Sequence, residues 1–321
     1  MQLRVAIFTP SLREPIVNAL RADSELDVVE ATDTAALLAA LDGANVAIIP
    51  GASQYYTPEV GRRIEASKTL SWVHILSAGY EGVTAAGWPK GVTFTSSGGT
   101  LSRAVAEHAF AMLSTLSRQL DKAAITQTKA VWDRSQARAA TILSGATLAV
   151  VGFGSIGQRI AKLARGYDMN VIGVSRSGRP NDAADEVHPA SALLQVLPQA
   201  GAVISALPLS PETQHVFNAA AFARFKPKAF FVNVGRGGVV DQAALIAALR
   251  SGALAGAGLD VTDPEPLPKS DPLWSAPNLL ISAHYAGAGD PDAGKRVATG
   301  LMENIRRFRA GEALLNQLSG S

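Results

Sequence analysis

Three side chains that can bind an anion or exchange a proton each follow a predicted strand. Arg236 stands between two glycines in "VNVGRGG", Glu265 lies between two prolines in "DPEPLP", and His284 follows "NLLISA". Arginine is permanently charged and presents planar donors that suit a carboxylate, and histidine changes its protonation near neutral pH. Ligands of open α/β sheets bind at the carboxyl ends of the strands. We therefore expect these three side chains to converge on one site.

A glycine-rich turn is predicted at the same edge of the sheet. It follows the apolar strand predicted at Thr147–Val151 and opens a helical run at Ile156–Ala164. The first glycine permits a tight turn, the second lets the backbone approach a pyrophosphate, and the third brings the helix close to the strand. Free N–H groups and the positive end of the helix dipole would face the phosphates. The pattern G-x-G-x-x-G, with strand before and helix after, favours dinucleotide binding over an ordinary turn; it is formed by Gly152, Phe153, Gly154, Ser155, Ile156 and Gly157.

The end of the next predicted strand, Val171–Val174, indicates which dinucleotide would bind. An Asp or Glu at this point usually accepts hydrogen bonds from the ribose hydroxyls, but this sequence has Ser175-Arg176. The Arg176 guanidinium could pair with a 2′-phosphate, and Ser175 and Ser177 could add hydroxyl donors. This favours NADP(H) over NAD(H). The alternative is that Arg176 is a solvated turn residue that tolerates NAD(H).

Short apolar runs alternate with helical stretches along most of the chain, which is typical of βαβ units and parallel sheets. A helix is predicted at Leu101–Leu120 before the second series of strands, and a closing helix at Asp292–Arg309. We expect two α/β domains, a glycine-fingerprint domain and a smaller one. The predicted strands besides the two above are Leu3–Phe8, Val46–Ile49, Trp72–Leu76, Val92–Thr95, Ala202–Ala206, Ala229–Val234, Ala257–Val261 and Leu279–Ser282.

The composition excludes several classes of site. The 321 residues are 47% apolar and 17% charged, with a formal net charge of +2 and no cysteine. Thiol nucleophiles, thiolate metal sites and disulfides are therefore absent, and the scattered basic residues do not form a nucleic-acid groove. The five histidines show no H-E-x-x-H spacing, so we expect no metal site. No segment has the length of a membrane span or a signal peptide, and we expect a cytoplasmic protein.

Several motifs together resemble those of D-isomer-specific 2-hydroxyacid dehydrogenases, in particular the glyoxylate/hydroxypyruvate reductase-like branch. The first domain is less similar and carries mainly "LSAGYEGV" at 76–83, which resembles the carboxylate-binding loop of that family. The motifs of the second domain are "AEHAFAML" at 106–113, the glycine turn at 152–157, "NVGRGGVVD" at 233–241, "GLDV" with "EPLP" at 258–268, and "PLWSAPNLLISAH" at 272–284.

The resemblance implies two doubly wound parallel-sheet domains with a cleft between them. Residues 100–289 would form a Rossmann dinucleotide-binding domain. Residues 1–99 and 290–321 would form a smaller, flavodoxin-like substrate domain, to which the last helix returns. The resemblance also implies a homodimer formed around the region 100–145.

The resemblance further implies reduction of a small 2-keto acid by NADPH to the D-2-hydroxy acid. Arg236 would hold the substrate carboxylate and polarise its carbonyl, His284 would supply the proton, and Glu265 would orient His284. Backbone N–H groups of Ala78 and Gly79 would complete the carboxylate cradle. The implied cofactor contacts are those of Gly152, Gly154, Ser155, Ile156, Gly157, Ser175, Arg176, Ser177, Leu207, Pro208, Thr213, Val234, Gly235, Asp260 and His284, with Asp260 facing the nicotinamide carboxamide.

Two other functions remain open at this point. One is a dinucleotide-sensing, non-catalytic interaction protein of the same fold, although Arg236, Glu265 and His284 are all present. The other is a dehydrogenase of a phosphorylated or sugar-derived 2-hydroxy acid, although the loops at 48–60 and 77–87 carry no Lys or Arg. The family commonly has Pro before its histidine and a small or β-branched residue after it, where this chain has Ala283 and Tyr285. These departures leave the substrate undefined.

Overall fold

The computed structural model describes residues 2–77 and 79–318. The chain forms two compact units, Met1–Leu101 with Asp290–Ser321, and Ser102–Gly289. Each unit is built on a sheet whose main strands are parallel and are covered by helices. The predicted fold class, two parallel-sheet α/β domains, is confirmed.

The first unit has a six-stranded sheet in the order β13-β5-β4-β3-β1-β2, and only β13 is antiparallel to its neighbour. The five parallel strands have the flavodoxin-like order 2-1-3-4-5. The strands are β1 Leu3–Phe8, β2 Leu26–Ala31, β3 Val46–Ile49, β4 Trp72–Ile75, β5 Thr93–Ser96 and β13 Gln317–Leu318; the helices are α1 Arg13–Arg21, α2 Thr34–Ala40, α3 Pro58–Ala66, α4 Glu81–Ala86 and α11 Ala293–Ala310.

Successive side chains of a strand point to opposite faces of the sheet, and in this sheet helices bury both faces. Val5 and Ile7 of β1 share a buried cluster with residues of α1 and α11, whereas Ala6 and Phe8 share one with residues of α2 and α3. The late helix α11 therefore belongs to the core of the first unit.

The second unit has a seven-stranded sheet, entirely parallel, in the order β12-β11-β10-β9-β6-β7-β8. Its strands are β6 Thr147–Val151, β7 Asn170–Ser175, β8 Glu186–Pro189, β9 Ala202–Ser205, β10 Ala229–Asn233, β11 Leu254–Leu259 and β12 Leu279–Ile281; its helices are α5 Ser102–Arg118, α6 Leu120–Thr128, α7 Ser155–Arg165, α8 Leu193–Val196, α9 Ala219–Phe222 and α10 Gln242–Arg250.

The strand order of this sheet reverses between β6 and β9, as in doubly wound dinucleotide-binding folds. Leu148 and Val150 of β6 face a cluster that includes α5 and α7, and Ala149 and Val151 face the cluster that includes α10. The chain leaves β6 at the glycine turn, so that turn lies at the topological switch point.

The structure differs from the predicted elements mainly at the sheet edges. Strands β2 and β8 were not predicted, because their sequences "LDVVEA" and "EVHP" mix polar residues into edge strands that are only partly buried. Strand β11 begins at Leu254 rather than Ala257, because Leu254 and Gly256 pair with Ala229 and Phe230 of β10 across a register shift. Within the described ranges, no helix combines the length and the apolar composition that crossing a bilayer requires.

Candidate active site

The glycine turn after β6 has one role for each of its three glycines. Gly152 has φ +95°, and a Cβ there would lie 2.7 Å from the Ala206 carbonyl oxygen. A Cβ on Gly157 would lie 2.5 Å from the Gly152 carbonyl oxygen, so this glycine lets α7 pack on the turn. A Cβ on Gly154 would meet no protein atom within 4 Å. The fold therefore does not require a glycine at position 154, and the open space beside it could admit a ligand.

Helix α7 starts directly behind this turn with Gly154 as its N-cap and no side chain capping it. The first N–H groups of a helix lack intrahelical partners, and Ser155 and Ile156 occupy the first two positions. Amides at a helix N-terminus suit a pyrophosphate. The turn and the start of α7 thus fit the diphosphate of a dinucleotide, and Gly152, Gly154, Ser155, Ile156 and Gly157 lie together there.

Arg176 lies on the exposed loop that follows β7. The loop is shaped by its serines, since Ser175 Oγ accepts from the Gly178 N–H at 3.1 Å and Ser177 Oγ accepts from the Arg179 N–H at 3.4 Å. Both hydroxyl protons remain available to an acceptor. Arg176 is exposed, and its charge also acts on Glu212 in the loop after β9.

The loop after β9 forms the other side of the switch point. Thr213 Oγ1 donates to the Pro208 carbonyl oxygen at 2.7 Å and accepts from the Ser210 N–H at 2.8 Å, which closes a compact turn after Leu207. The pKa of Glu212 in this turn is lowered, first by its hydrogen bond from Ser210 and more weakly by the charge of Arg176. Arg176 therefore has an acidic neighbour with which a 2′-phosphate would compete.

The turn after β10 presents Arg236. Gly235 packs against the loop after β9, since a Cβ there would lie 2.3 Å from the Leu207 carbonyl oxygen. Asn233 is fully buried; its Oδ1 accepts from the Gly235 N–H at 3.1 Å and its Nδ2 donates to the Arg236 carbonyl oxygen at 2.9 Å. Val234 is buried beside it. Asn233 thus fixes the turn. It was not predicted as a site residue, although a single polar residue at the end of the apolar run "FFVN" could have indicated such a role.

Glu265 and His284 come together at the ends of β11 and β12. His284 Nδ1 lies 2.6 Å from Glu265 Oε2, and Glu265 Oε1 accepts from the Thr262 N–H at 3.0 Å. A carboxylate can only accept, so the proton of the short contact belongs to Nδ1. The His284 ring is thereby oriented, and Nε2 is left to exchange a proton with a bound molecule.

The pKa values of Glu265 and His284 are shifted so that each side chain favours its charged form. The hydrogen bond to Glu265 raises the pKa of His284 against the opposing effect of burial. Burial raises the pKa of Glu265, but its bonds with His284 and Thr262 outweigh that effect, so the pKa is lowered. Burial lowers the pKa of Arg236 and Glu265 raises it, yet arginine stays charged. The site therefore combines a fixed cation, a carboxylate and a histidine biased toward its protonated form.

The turn that carries His284 is held by Asp260. His284 has φ +52°, a conformation that is uncommon for a residue other than glycine, and its N–H donates to the Asp260 carbonyl oxygen at 2.8 Å. The Asp260 carboxylate accepts from the N–H groups of Tyr285 at 3.1 Å and Ala286 at 3.2 Å, and from Ser282 Oγ at 2.7 Å. The family resemblance predicts that Asp260 faces the nicotinamide carboxamide. The contacts of its carboxylate in this structure are with the turn.

His108 of α5 reaches the same turn. Its Nε2 lies 2.8 Å from Ser282 Oγ and 3.6 Å from Asp260 Oδ1, and its ring meets Tyr285 edge to face. In a hydrolytic triad the histidine stands between serine and aspartate, but here Ser282 stands between the other two. The three residues therefore brace the turn rather than activate a nucleophile, and neither His108 nor Ser282 was predicted for this role.

The loop that resembles a carboxylate cradle lies in the first unit. Ser77 Oγ donates to the Gly79 carbonyl oxygen at 2.6 Å and accepts from the Gly51 N–H at 2.8 Å. Gly51 has to be a glycine, since a Cβ would lie 2.5 Å from the Gly79 carbonyl oxygen. Ala78, predicted to bind substrate, lies outside the described residues.

No group of three His, Cys, Asp or Glu residues that could hold a metal ion occurs within residues 2–77 and 79–318. The second unit instead collects the predicted polar groups at one sheet edge. The switch-point glycines, Arg236, Glu265 and His284 all follow carboxyl ends of its parallel strands. This arrangement suits a dinucleotide and an anionic substrate.

Comparison with known proteins identifies the family. The model of the "D-isomer specific 2-hydroxyacid dehydrogenase, NAD binding domain" matches residues 110–286, which is more than half of the 321 residues. The chain belongs to the D-isomer specific 2-hydroxyacid dehydrogenases, a family of NAD(P)-dependent dehydrogenases and reductases. The predicted family is confirmed.

Individual relatives differ in their substrates. A glyoxylate reductase of Pyrococcus furiosus is 34% identical over 229 residues, which cover 70% of this chain and 68% of that protein. A D-3-phosphoglycerate dehydrogenase of Mycobacterium leprae is 32% identical over 313 residues, which cover 97% of this chain but 58% of that protein. The match to an uncharacterised protein of Corynebacterium melassecola likewise spans only 56% of it.

A solved structure is similar over nearly the whole chain. It is an NADPH-dependent glyoxylate/hydroxypyruvate reductase from Sinorhizobium meliloti in complex with NADP and sulfate, 26% identical, with a TM-score of 0.83 and coverage of 99% of this chain and 98% of that one. The likeness supports the fold and the family.

Proposed function

We propose that this protein is a reductase of small 2-keto acids of the glyoxylate/hydroxypyruvate type, using NADPH and forming the D-2-hydroxy acid. The observation that carries the proposal is the 2.6 Å contact between His284 and Glu265 in the neighbourhood of Arg236. A similar protein from Pyrococcus furiosus is a glyoxylate reductase. The similar Sinorhizobium meliloti enzyme is NADPH-dependent.

The residues would divide the work between binding and proton transfer. Arg236 binds the substrate carboxylate and polarises the carbonyl through its planar donors. The hydride for the carbonyl carbon would come from the nicotinamide cofactor when that cofactor is bound. Negative charge then develops on the carbonyl oxygen, and His284 Nε2 delivers a proton to it. Glu265 keeps the imidazole oriented and favours its protonated form, and the role predicted for Ala78 and Gly79 in binding the carboxylate stays a prediction.

The cofactor would lie along the switch point. The glycine turn and the amides of Ser155 and Ile156 hold the diphosphate, and the loops at Leu207–Thr213 and Val234–Gly235 line the nicotinamide half. Arg176, with Ser175 and Ser177, binds the 2′-phosphate. Asp260 would lie near the nicotinamide, because its carboxylate holds the turn that carries His284.

The preference for NADPH is tested by Arg176→Asp. Loss of charge-assisted bonds to the phosphate should lower kcat/KM for NADPH roughly 10- to 100-fold, with a much smaller change for NADH. Arg179→Asp, three residues further on the same exposed loop, is the matched control. Equal losses with both cofactors would show that Arg176 supports the loop and does not select the cofactor.

The substrate is tested by NADPH oxidation with glyoxylate, hydroxypyruvate, longer 2-keto acids and a phosphorylated 2-keto acid. We expect the short, unphosphorylated acids to give the highest kcat/KM. A preference for the phosphorylated acid would favour the second candidate, which the 32% identity to a D-3-phosphoglycerate dehydrogenase over 97% of this chain supports. Dinucleotide binding without turnover of any acid would favour a non-catalytic sensor.

We also propose a homodimer formed through the region 100–145. This part of the second unit exposes several large apolar side chains, and Trp132 is 93% exposed. Exposed apolar patches of this kind mark interaction surfaces. The others in the region are Leu120, Ile125, Val131 and Ile142.

A further inference from the structure

The loop that carries Glu265 has to hold a carboxylate within 2.6 Å of His284 although the loop itself is exposed. Two bonds shape it internally. The Thr262 N–H donates to Glu265 Oε1 at 3.0 Å, and Thr262 Oγ1 donates to the Pro264 carbonyl oxygen at 3.0 Å. Both partners of each bond belong to the same loop, so these bonds define its shape without fixing where it stands on the sheet.

The side chain of Gln242 fixes the loop from outside. Its Nε2 donates to the Asp263 carbonyl oxygen at 2.7 Å, and its Oε1 accepts from the Asp263 N–H at 2.9 Å. This amide pairs with one residue's backbone as a neighbouring strand would. Two bonds at adjacent atoms constrain orientation as well as distance, and only an amide side chain offers a donor and an acceptor side by side.

Gln242 is itself firmly placed. It is the first residue of α10, directly after the N-cap Asp241, whose carboxylate accepts from the Ala244 N–H at 3.0 Å. The helix that follows packs its apolar side into the core of the second unit through Leu245 and Leu249. The anchor of the Glu265 loop is therefore a rigid helix.

The same chain segment carries Arg236. Between Arg236 and Gln242, Gly237 packs against the Glu265 loop so closely that a Cβ would lie 2.0 Å from the Thr262 carbonyl oxygen. The arginine turn, the start of α10 and the Glu265 loop thus meet at Thr262 and Asp263. Gln242 supplies the side-chain bonds of that junction.

We propose that Gln242 is a positioning residue for the reaction, holding Asp263 and through it Glu265 in register with His284 and with the Arg236 turn. This inference rests on the function proposed above only for its catalytic consequence. Gln242 touches neither substrate nor cofactor and acts through Glu265. A bond that served stability alone would leave the protonation of His284 unchanged when removed.

The direct test is an NMR titration of the His284 imidazole in the wild type, Gln242→Ala and Gln242→Glu, with the signal assigned by its loss in His284→Gln. We expect Gln242→Ala to lower the pKa of His284 by about half a unit or more. Gln242→Glu keeps the acceptor for the Asp263 N–H and adds a negative charge, so the pKa of His284 should be higher in this variant than in Gln242→Ala. Gln199→Ala is the control, because Gln199 makes one exposed side-chain bond, to the Gln195 carbonyl oxygen at 2.9 Å.

Steady-state kinetics adds a second reading. For Gln242→Ala we expect kcat to fall about threefold to tenfold, the size of one or two lost hydrogen bonds, with the KM for cofactor unchanged. In a Glu265→Gln background the same substitution should have no further effect on the His284 titration, because Gln242 acts through the carboxylate.

An unchanged His284 titration in folded Gln242→Ala would overturn the inference, as would an equal effect in the Glu265→Gln background. The titration needs no substrate. If the wild type reduced no 2-keto acid, the proposed function would fail while the coupling of Gln242 to His284 would still be measurable, so the two failures are distinguishable.

Discussion

The site depends on the relation between His284 and its two charged neighbours. Glu265 accepts the Nδ1 proton at 2.6 Å and raises the pKa of His284, while the charge of Arg236 and partial burial oppose that rise. Because the raising effect wins, the imidazolium persists to a higher pH than in an unperturbed histidine, whose pKa is about 6.5. At any given pH, a larger share of the imidazole is therefore protonated and able to donate.

Glu265→Gln should move the pH dependence of reduction. The variant no longer stabilises the imidazolium, so the decline of kcat/KM on the alkaline side should shift to lower pH by about one unit. The measurement is the pH profile of kcat/KM for the preferred 2-keto acid in the wild type and the variant. An unchanged alkaline limb would show that another group supplies the proton.

His74 makes a second prediction at this scale, concerning stability. Its ring is buried in β4 between Thr95 Oγ1 at 2.9 Å and Ser97 Oγ at 3.2 Å, and burial lowers its pKa to about 4. The unfolded chain binds a proton below about pH 6.5 whereas the folded chain resists it. Stability should fall as the pH drops from about 6.5 to 4, by about 3 kcal/mol in total.

Urea unfolding at several pH values tests this, with His74→Gln as the comparison. The variant should lose the part of the acid-side decline that belongs to this ring, although it is less stable at pH 7. If both proteins lost the same free energy of unfolding between pH 7 and pH 4, His74 would not be the group responsible.

Among the secondary-structure elements, the turn between β6 and α7 has one glycine that the packing requires, Gly157, and one that it does not, Gly154. A Cβ on Gly157 would meet the backbone at 2.5 Å, whereas one on Gly154 would meet nothing within 4 Å. Gly154→Ala should therefore keep the melting temperature and weaken dinucleotide binding about tenfold or more, because the added methyl occupies the approach of the diphosphate.

Calorimetric titration with NADPH and thermal unfolding measure the two effects. The matched control is Gly300→Ala on α11, where a Cβ also meets nothing within 4 Å, and which should leave binding unchanged. If Gly154→Ala bound NADPH as tightly as the wild type does, the proposal that the diphosphate binds at this turn would be wrong.

Motif and periodicity predicted the central strands and the residues that follow them, because strands buried on both faces read as continuous apolar runs. Edge strands such as β2 and β8 escaped, since polar residues interrupt them. The supporting side chains escaped for another reason. Asn233, His108 and Gln242 act through contacts that only the folded chain creates, and nothing in the spacing of Gln242 and Asp263 predicts two bonds between them.

For the whole molecule, the exposed apolar face of residues 100–145 predicts self-association. Replacing Trp132, which is 93% exposed, by Lys should shift a dimer toward monomer without lowering stability, because the side chain makes few contacts within the chain. Light scattering after size exclusion over a range of concentrations measures this. Leu194→Lys, at an exposed position on α8, is the control; equal behaviour of the two variants would place the interface elsewhere.

The measurement that tests the proposed function most directly is kcat/KM for NADPH-dependent reduction of glyoxylate and hydroxypyruvate by the wild type, His284→Gln and Arg236→Lys. The wild type should turn over at least one of these acids. Both variants should lose roughly 100-fold or more, since one lacks the proton donor and the other the planar carboxylate clamp. A folded, NADPH-binding wild type that reduced neither acid, or a His284→Gln variant within tenfold of the wild type, would contradict the proposed reaction.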